Sequence, residues 1–162
     1  MKKVFLCFVL FFIIIGIGFS QSSDDWKWGG LVRTRPLATV FSLIQGGIEI
    51  AVDWIPYITP SFGIPVEINF VSIDGVTGIG IMGGVEGVPL SHREKSGLFI
   101  TALGGFLFVD PYVVVMARAN AGYQLVTNGG FVLTSAVGVS FNIITGFSLD
   151  FMLDIGFAYR KK

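Results

Sequence analysis

The stretch that most restricts what this chain can fold into is Phe147 to Tyr159, F-S-L-D-F-M-L-D-I-G-F-A-Y. Phe147, Leu149, Phe151, Leu153, Ile155, Phe157 and Tyr159 fall on one face of an extended backbone, and Ser148, Asp150, Met152, Asp154, Gly156 and Ala158 on the other. That is the period-2 signature of a strand, incompatible with an ordinary helix. A strand this long, greasy on one side and small or acidic on the other, suits a wall with lipid on one face and a crowded polar lumen on the other.

The same alternation recurs upstream. Ile48, Ile50, Val52 and Trp54 alternate with Glu49, Ala51 and Asp53 before a proline-bearing turn at Pro56 to Ser61. Phe62, Ile64, Val66, Ile68 and Phe70 alternate with Gly63, Pro65, Glu67 and Asn69; Pro65 lacks the N–H that a ladder needs, so a bulge or local break is expected there. Ile79, Ile81 and Val85 oppose Gly78, Gly80, Met82, Gly84 and Glu86. In Gly97 to Val109, Leu98, Ile100, Ala102, Phe106 and Phe108 oppose Phe99, Thr101, Leu103 and Leu107, with both faces fairly apolar. Val113 to Tyr123 and Phe131 to Phe141 complete the set, joined through Asn128-Gly129-Gly130, residues that tolerate positive φ in a hairpin turn.

These make seven strands. The segment Leu37 to Ile44 reads two ways: Leu37, Thr39, Phe41 and Leu43 alternate as in a strand, while Leu37, Val40, Phe41 and Ile44 form a helical stripe behind Pro36. A closed bacterial barrel has an even strand number, so the strand is the preferred reading. The domain scheme is then a leader at 1–20, an N-terminal linker at 21–36, and an all-β, single antiparallel up-and-down barrel of eight strands at 37–162.

The leader is legible in Lys2 and Lys3, the apolar run Val4 to Phe19, and small residues around Gly18-Phe19-Ser20. This is the layout of a cleaved secretory signal, and the run falls short of the roughly 20 residues of a spanning helix. The one cysteine, Cys7, lies within it, so the exported chain would have no thiol for disulfide, redox or metal chemistry. Removing Lys2 and Lys3 leaves nine basic against eleven acidic residues, which offers no basic field to nucleic acid.

Alternation alone does not say which face meets water, because a soluble lipocalin-like barrel also alternates, greasy side inward. The polar face distinguishes the two. Between Pro36 and Tyr159 the basic residues are Arg93, Lys95 and Arg118, two of them in one loop, whereas a solvated outer face would carry many Lys and Glu. Gly, Ala, Thr, Ser and Asn dominate instead, as befits the interior of an eight-stranded barrel, just wide enough for side chains to fill. Aromatics bracket the pattern: Tyr57, Phe62, Tyr123, Phe131 and Tyr159 at one end, Phe70, Phe108, Tyr112, Phe141 and Phe147 at the other, as in the belts at the two membrane interfaces.

The chemistry-bearing residues are those assigned to the lumen: Glu49, Asp53, Glu67, Glu86, Asp150 and Asp154 against the single base Arg118, with Arg33 and Arg35 available from the N-terminal segment. Buried carboxylates without partners are costly, so the group reads as a polar plug bracing the barrel, or as an acid ring lining a narrow cation-preferring water path. Met82, Met116, Met152, Phe99 and Leu103 are placed to occlude such a path. Gly78-Ile79-Gly80-Ile81-Met82-Gly83 spells a dinucleotide fingerprint, but inside an alternating strand with no helix after it. His92, in the charged loop Ser91 to Lys95, has no second histidine and no geometry for a triad. No catalytic residue, cofactor site or metal site is therefore assigned, and the chain does not read as an enzyme.

Taken together, the leader, the alternating strands, the Gly-rich hairpins and the final amphipathic strand resemble the small outer-membrane barrels of diderm bacteria, such as the OmpX and OmpW families, over roughly Leu31 to Tyr159. The resemblance implies residence in the outer membrane, with lipid and the barrel-insertion machinery as partners. Two features depart from it: Tyr159 is followed by Arg160-Lys161-Lys162 rather than ending the chain, and the outward loops, 45–47, 71–76, 109–111 and 143–146, are short. The alternatives are a soluble periplasmic lipocalin-like barrel for an apolar ligand and a lipid-binding membrane barrel.

Overall fold

A run of alternating strands must hide its backbone edges, and this chain hides them by closing on itself. The computed structural model describes residues 28–59, 62–88, 96–127 and 129–160. The expected leader, residues 21–27 of the expected linker, the loop around His92, and Asn128 lie outside the described residues. Within these, the elements are β1 (Trp28–Thr34), α1 (Pro36–Ile44), β2 (Ile48–Thr59), β3 (Phe62–Gly63), β4 (Val66–Ile73), β5 (Val76–Gly87), β6 (Gly97–Val109), β7 (Tyr112–Val126), β8 (Phe131–Asn142) and β9 (Gly146–Arg160). Apart from β3 and β4, which both lie between β2 and β5, neighbours in sequence pair antiparallel, and β1 pairs with both β2 and β9, so the sheet is a closed barrel.

β3 and β4 are one interrupted strand, which makes eight staves. Tyr57 lies opposite Gly63 and Trp54 opposite Val66, a single register kept across the break. The interruption comes from two prolines. Ile64 donates its N–H to the Pro56 carbonyl and Gly84 donates to that of Pro65, but neither proline has an N–H to return, so each neighbouring ladder loses half a rung. The break expected at Pro65 is present, whereas the turn expected at Pro56 to Ser61 starts later than Pro56: β2 runs straight through Pro56 to Thr59 and pairs antiparallel with β3, and residues 60–61 lie outside the described residues.

Two expectations at the N-terminal side need correction. The eighth stave is β1, from within the segment read as a linker, and Leu37 to Ile44 belongs to the helix α1. Strand frame explains the switch. In β1 the odd positions Leu31 and Arg33, and Arg35 just after it, are buried inside while Val32 faces out. Extending that frame would push Leu37, Phe41 and Leu43 into a charged interior. Pro36 also cannot serve a ladder, yet costs nothing in the first turn of a helix. As a helix, the segment turns Leu37, Val40, Phe41 and Ile44 outward and buries Ser42.

The outer wall is apolar from strand to strand: Ile50, Ile68, Ile81, Phe106, Val115, Val137 and Phe151 are all exposed. Phe151 is 63 % exposed while Asp154, three residues on, is 1 % exposed. The greasy row thus faces out and the acid-bearing row faces in, as the alternation predicts. Packing inside is tight; a Cβ at Gly80 would run into the Asn69 side chain. Turns at the helix-bearing end are short. Asp74 and Gly75 both adopt positive φ between β4 and β5, the geometry of a type I′ hairpin. Between β8 and β9 the Asn142 Oδ1 accepts from the N–H groups of Ile144 and Thr145, a local side-chain-to-backbone turn.

Candidate functional site

The lumen is layered. Toward the end that carries the first residues of β1 and the last of β9, Leu31, Ile55, Tyr57, Val88, Phe99, Val126 and Val132 form an apolar plug. Each comes from an inward position of its strand, except Val88, which follows β5. Above the plug lies a layer of charge.

Three arginines organise that layer. Arg33 Nη2 lies 2.9 Å from Glu86 Oε2 and 3.6 Å from Asp53 Oδ2. Arg35 reaches Glu67 at 3.0 Å, Asp154 at 3.4 Å and Asp53 at 3.8 Å. Arg118 meets Glu67 at 2.6 Å and Asp150 at 2.9 Å. These links run from β1 to β2 and β5, from the β1–α1 junction to β2, β4 and β9, and from β7 to β4 and β9. Thr101 of β6 donates to Glu86 at 3.0 Å. Seven of the eight staves are thereby cross-tied through the centre of the tube.

Tyr57 joins plug to network: its hydroxyl donates to Glu86 Oε1 at 2.8 Å, and the Gln124 amide donates to that hydroxyl at 3.4 Å. The Arg33 guanidinium also lies 5.5 Å from the centroid of the Phe99 ring, a cation–π contact on the plug's upper surface. Tyr57 is 7 % exposed, so its expected place in an aromatic belt is corrected. Strand β2 continues past Pro56, and its inward frame, Ala51, Asp53, Ile55, carries Tyr57 inside with it. The outer aromatics at that end are instead Trp54, whose indole N–H donates to the Tyr159 hydroxyl at 2.9 Å, and the edge-to-face pair Phe131 and Phe157.

Of the seven residues picked out as lumen-facing, Asp53, Glu67, Glu86, Arg118, Asp150 and Asp154 meet in this one network. Glu49 stands apart, half-buried toward the helix end, where its backbone, not its carboxylate, is engaged by α1. Arg33 and Arg35 were legible only as outside partners brought in by a linker. The signal that β1 is a stave was the alternation Leu31, Arg33, Arg35 against Val32 and Thr34. Five carboxylates face three guanidiniums, and Asp53 Oδ1, Asp154 Oδ2 and Thr134 Oγ1 have no hydrogen-bond partner among the described residues. Among those residues there is also no group of three acidic, His or Cys side chains arranged to hold a metal ion.

The network can brace and it can exclude. Glu67 and Glu86 are fully buried, so ions have no free carboxylate ring to travel through in this conformation. Of the five residues expected to occlude the bore, the inward Met82, Met152, Phe99 and Leu103 are buried, whereas Met116 is only half-buried. No family model, curated protein or solved structure matches this chain.

Proposed function

We propose that this protein is an integral barrel of a diderm outer membrane whose lumen is braced shut, with a structural role in the envelope. The observation that carries the reading is sidedness: large apolar side chains cover the outside of every stave, while Arg33, Asp53, Glu67, Glu86, Arg118, Asp150 and Asp154 of the strands meet inside. In water such a wall would far exceed the few hundred Å² of contiguous apolar surface that a soluble monomer tolerates. In hydrocarbon it is the favourable surface, and wherever the ladder is paired on both sides the strands have no edge to expose.

This favours a membrane barrel over the lipocalin-like reading, which needs the greasy row inside. The leader at 1–20 supplies the export route. Fractionation of cells, with gel migration compared before and after boiling, tests the proposal: migration that shifts on boiling and recovery with the outer membrane are expected, and recovery as a soluble periplasmic protein would overturn it.

A cation-preferring path is the second reading, favoured by the excess of carboxylates over guanidiniums in the lumen. The apolar plug and the inward methionines weigh against it. In planar bilayers the braced barrel is expected to be silent, whereas steady cation-selective conductance would replace the structural reading with that of a pore.

A further inference from the structure

The barrel wall is not made of strands all the way round. β1 pairs with β9 only from Ile155 onward and with β2 only from Val52 onward. Beyond those points, Ile48–Ala51 of β2 and Gly146–Asp154 of β9 have no β1 between them. α1 leaves β1 at this position and packs against β2 and β9, the two strands that flank the gap.

The helix is joined to the β2 edge by hydrogen bonds that replace the missing ladder. Arg35 N–H donates to the Ala51 carbonyl, the Thr39 hydroxyl donates to the Glu49 carbonyl at 2.6 Å, and Glu49 N–H donates to the Ser42 hydroxyl at 2.7 Å. Thr39 and Ser42 are spent on that edge. The other side of the helix carries Leu37, Val40, Phe41 and Ile44, all exposed, at the i, i+3, i+4, i+7 spacing of one helical face. Residues 36–47 include no charged side chain, unlike an aqueous loop, and the nearby outward residues Ile48, Ile50, Phe147 and Leu149 are exposed and apolar as well.

We infer that α1 is a stave of the wall in its own right and that its Leu37, Val40, Phe41 and Ile44 face contacts the acyl layer of the bilayer, continuing the apolar skirt of β2 and β9. The inference rests on the membrane reading above and adds to it: a helix, whose backbone bonds are internal, is the one other element that hydrocarbon tolerates. The partner is lipid, because the face is continuous with the strand wall on both sides and offers no charge or hydrogen-bonding side chain for anything else to grip.

Single-cysteine variants, made in a Cys7→Ser background and labelled with bimane, test this in phosphatidylcholine vesicles carrying nitroxides on their acyl chains. Val40→Cys, Phe41→Cys and Ile44→Cys report on the helix; Ile50→Cys and Phe151→Cys report on the strands. All five positions are exposed, so the labels do not disturb packing. Quenching of the three helix positions as strong as at Phe151, with protection from aqueous iodide, is expected. If the two strand positions are quenched by the nitroxide lipid while the helix positions answer to iodide, α1 lies in water and the inference is overturned alone. Were all five open to iodide, the membrane reading would fall and the inference with it.

Discussion

Glu67 holds two of the three lumen arginines at close range, Arg35 at 3.0 Å and Arg118 at 2.6 Å, whereas Asp53 meets Arg33 and Arg35 only at 3.6 and 3.8 Å. A fully buried acid shared in this way costs a great deal to desolvate, and its removal takes the nearest ion partner from Arg35 and Arg118 at once. Glu67→Ala is therefore expected to lower unfolding free energy by about 3–5 kcal/mol, the cost of breaking a buried pair from one side, read as a shift in urea midpoint in detergent or vesicles. Asp53→Asn should cost clearly less, because Arg33 keeps Glu86 and Arg35 keeps Glu67 and Asp154. Equal losses for the two variants would mean that the network is not organised around Glu67. Tyr57→Phe removes the hydroxyl that donates to Glu86 and accepts from Gln124, for which about 1–3 kcal/mol is the expected loss when a buried polar partner is taken away.

Among the elements, β9 is two strands in one. From Ile155 to Phe157 it is held by β8 on one side and β1 on the other, and the β1 pairing continues to Arg160, whereas from Gly146 to Asp154 its second edge faces α1. Among the described residues no hydrogen bond joins α1 to Gly146–Leu153, and the first tie on that side is Arg35 to Asp154. Alternate amides in the first half of β9 should accordingly exchange with deuterium faster than those of the second half, since local opening starts where backbone bonds are fewest. Uniform protection along β9 would contradict this. The β2 side of the helix behaves differently. Ser42→Ala leaves the Glu49 N–H without its acceptor and should cost about 1–2 kcal/mol, with faster exchange confined to α1 and the start of β2.

For the molecule as a whole, the outer wall is the test of what surrounds it. Phe151→Arg places a charge midway along β9 on the outward row, and in a bilayer that is expected to cost roughly 2–4 kcal/mol of folding stability. The same change measured on a water-exposed surface falls within about 0.5 kcal/mol. Refolding into vesicles, followed by the gel shift on boiling, measures the difference; a near-neutral Phe151→Arg would argue against lipid on that face.

The order of inside and outside was legible in the sequence because side-chain period is a local property: two residues per repeat decide which row is greasy, and Asp150, Asp154, Glu67 and Glu86 lie on the inner row without any knowledge of neighbours. The scarcity of basic residues from Pro36 to Tyr159 decided in the same way that the polar row could not be a solvated surface. Frame and partnership are not local. Whether Leu37 to Ile44 continues a strand depends on which row β1 has already placed inside, and whether Arg33 and Arg35 neutralise the acids depends on β1 closing against β9, more than a hundred residues away in sequence. Tyr57 was misread for a related reason, since prolines that usually end strands sit here where each removes half a rung and the wall carries on. Tertiary closure alone decided which eight staves make the tube, which charges meet at its centre, and that one part of its wall is a helix.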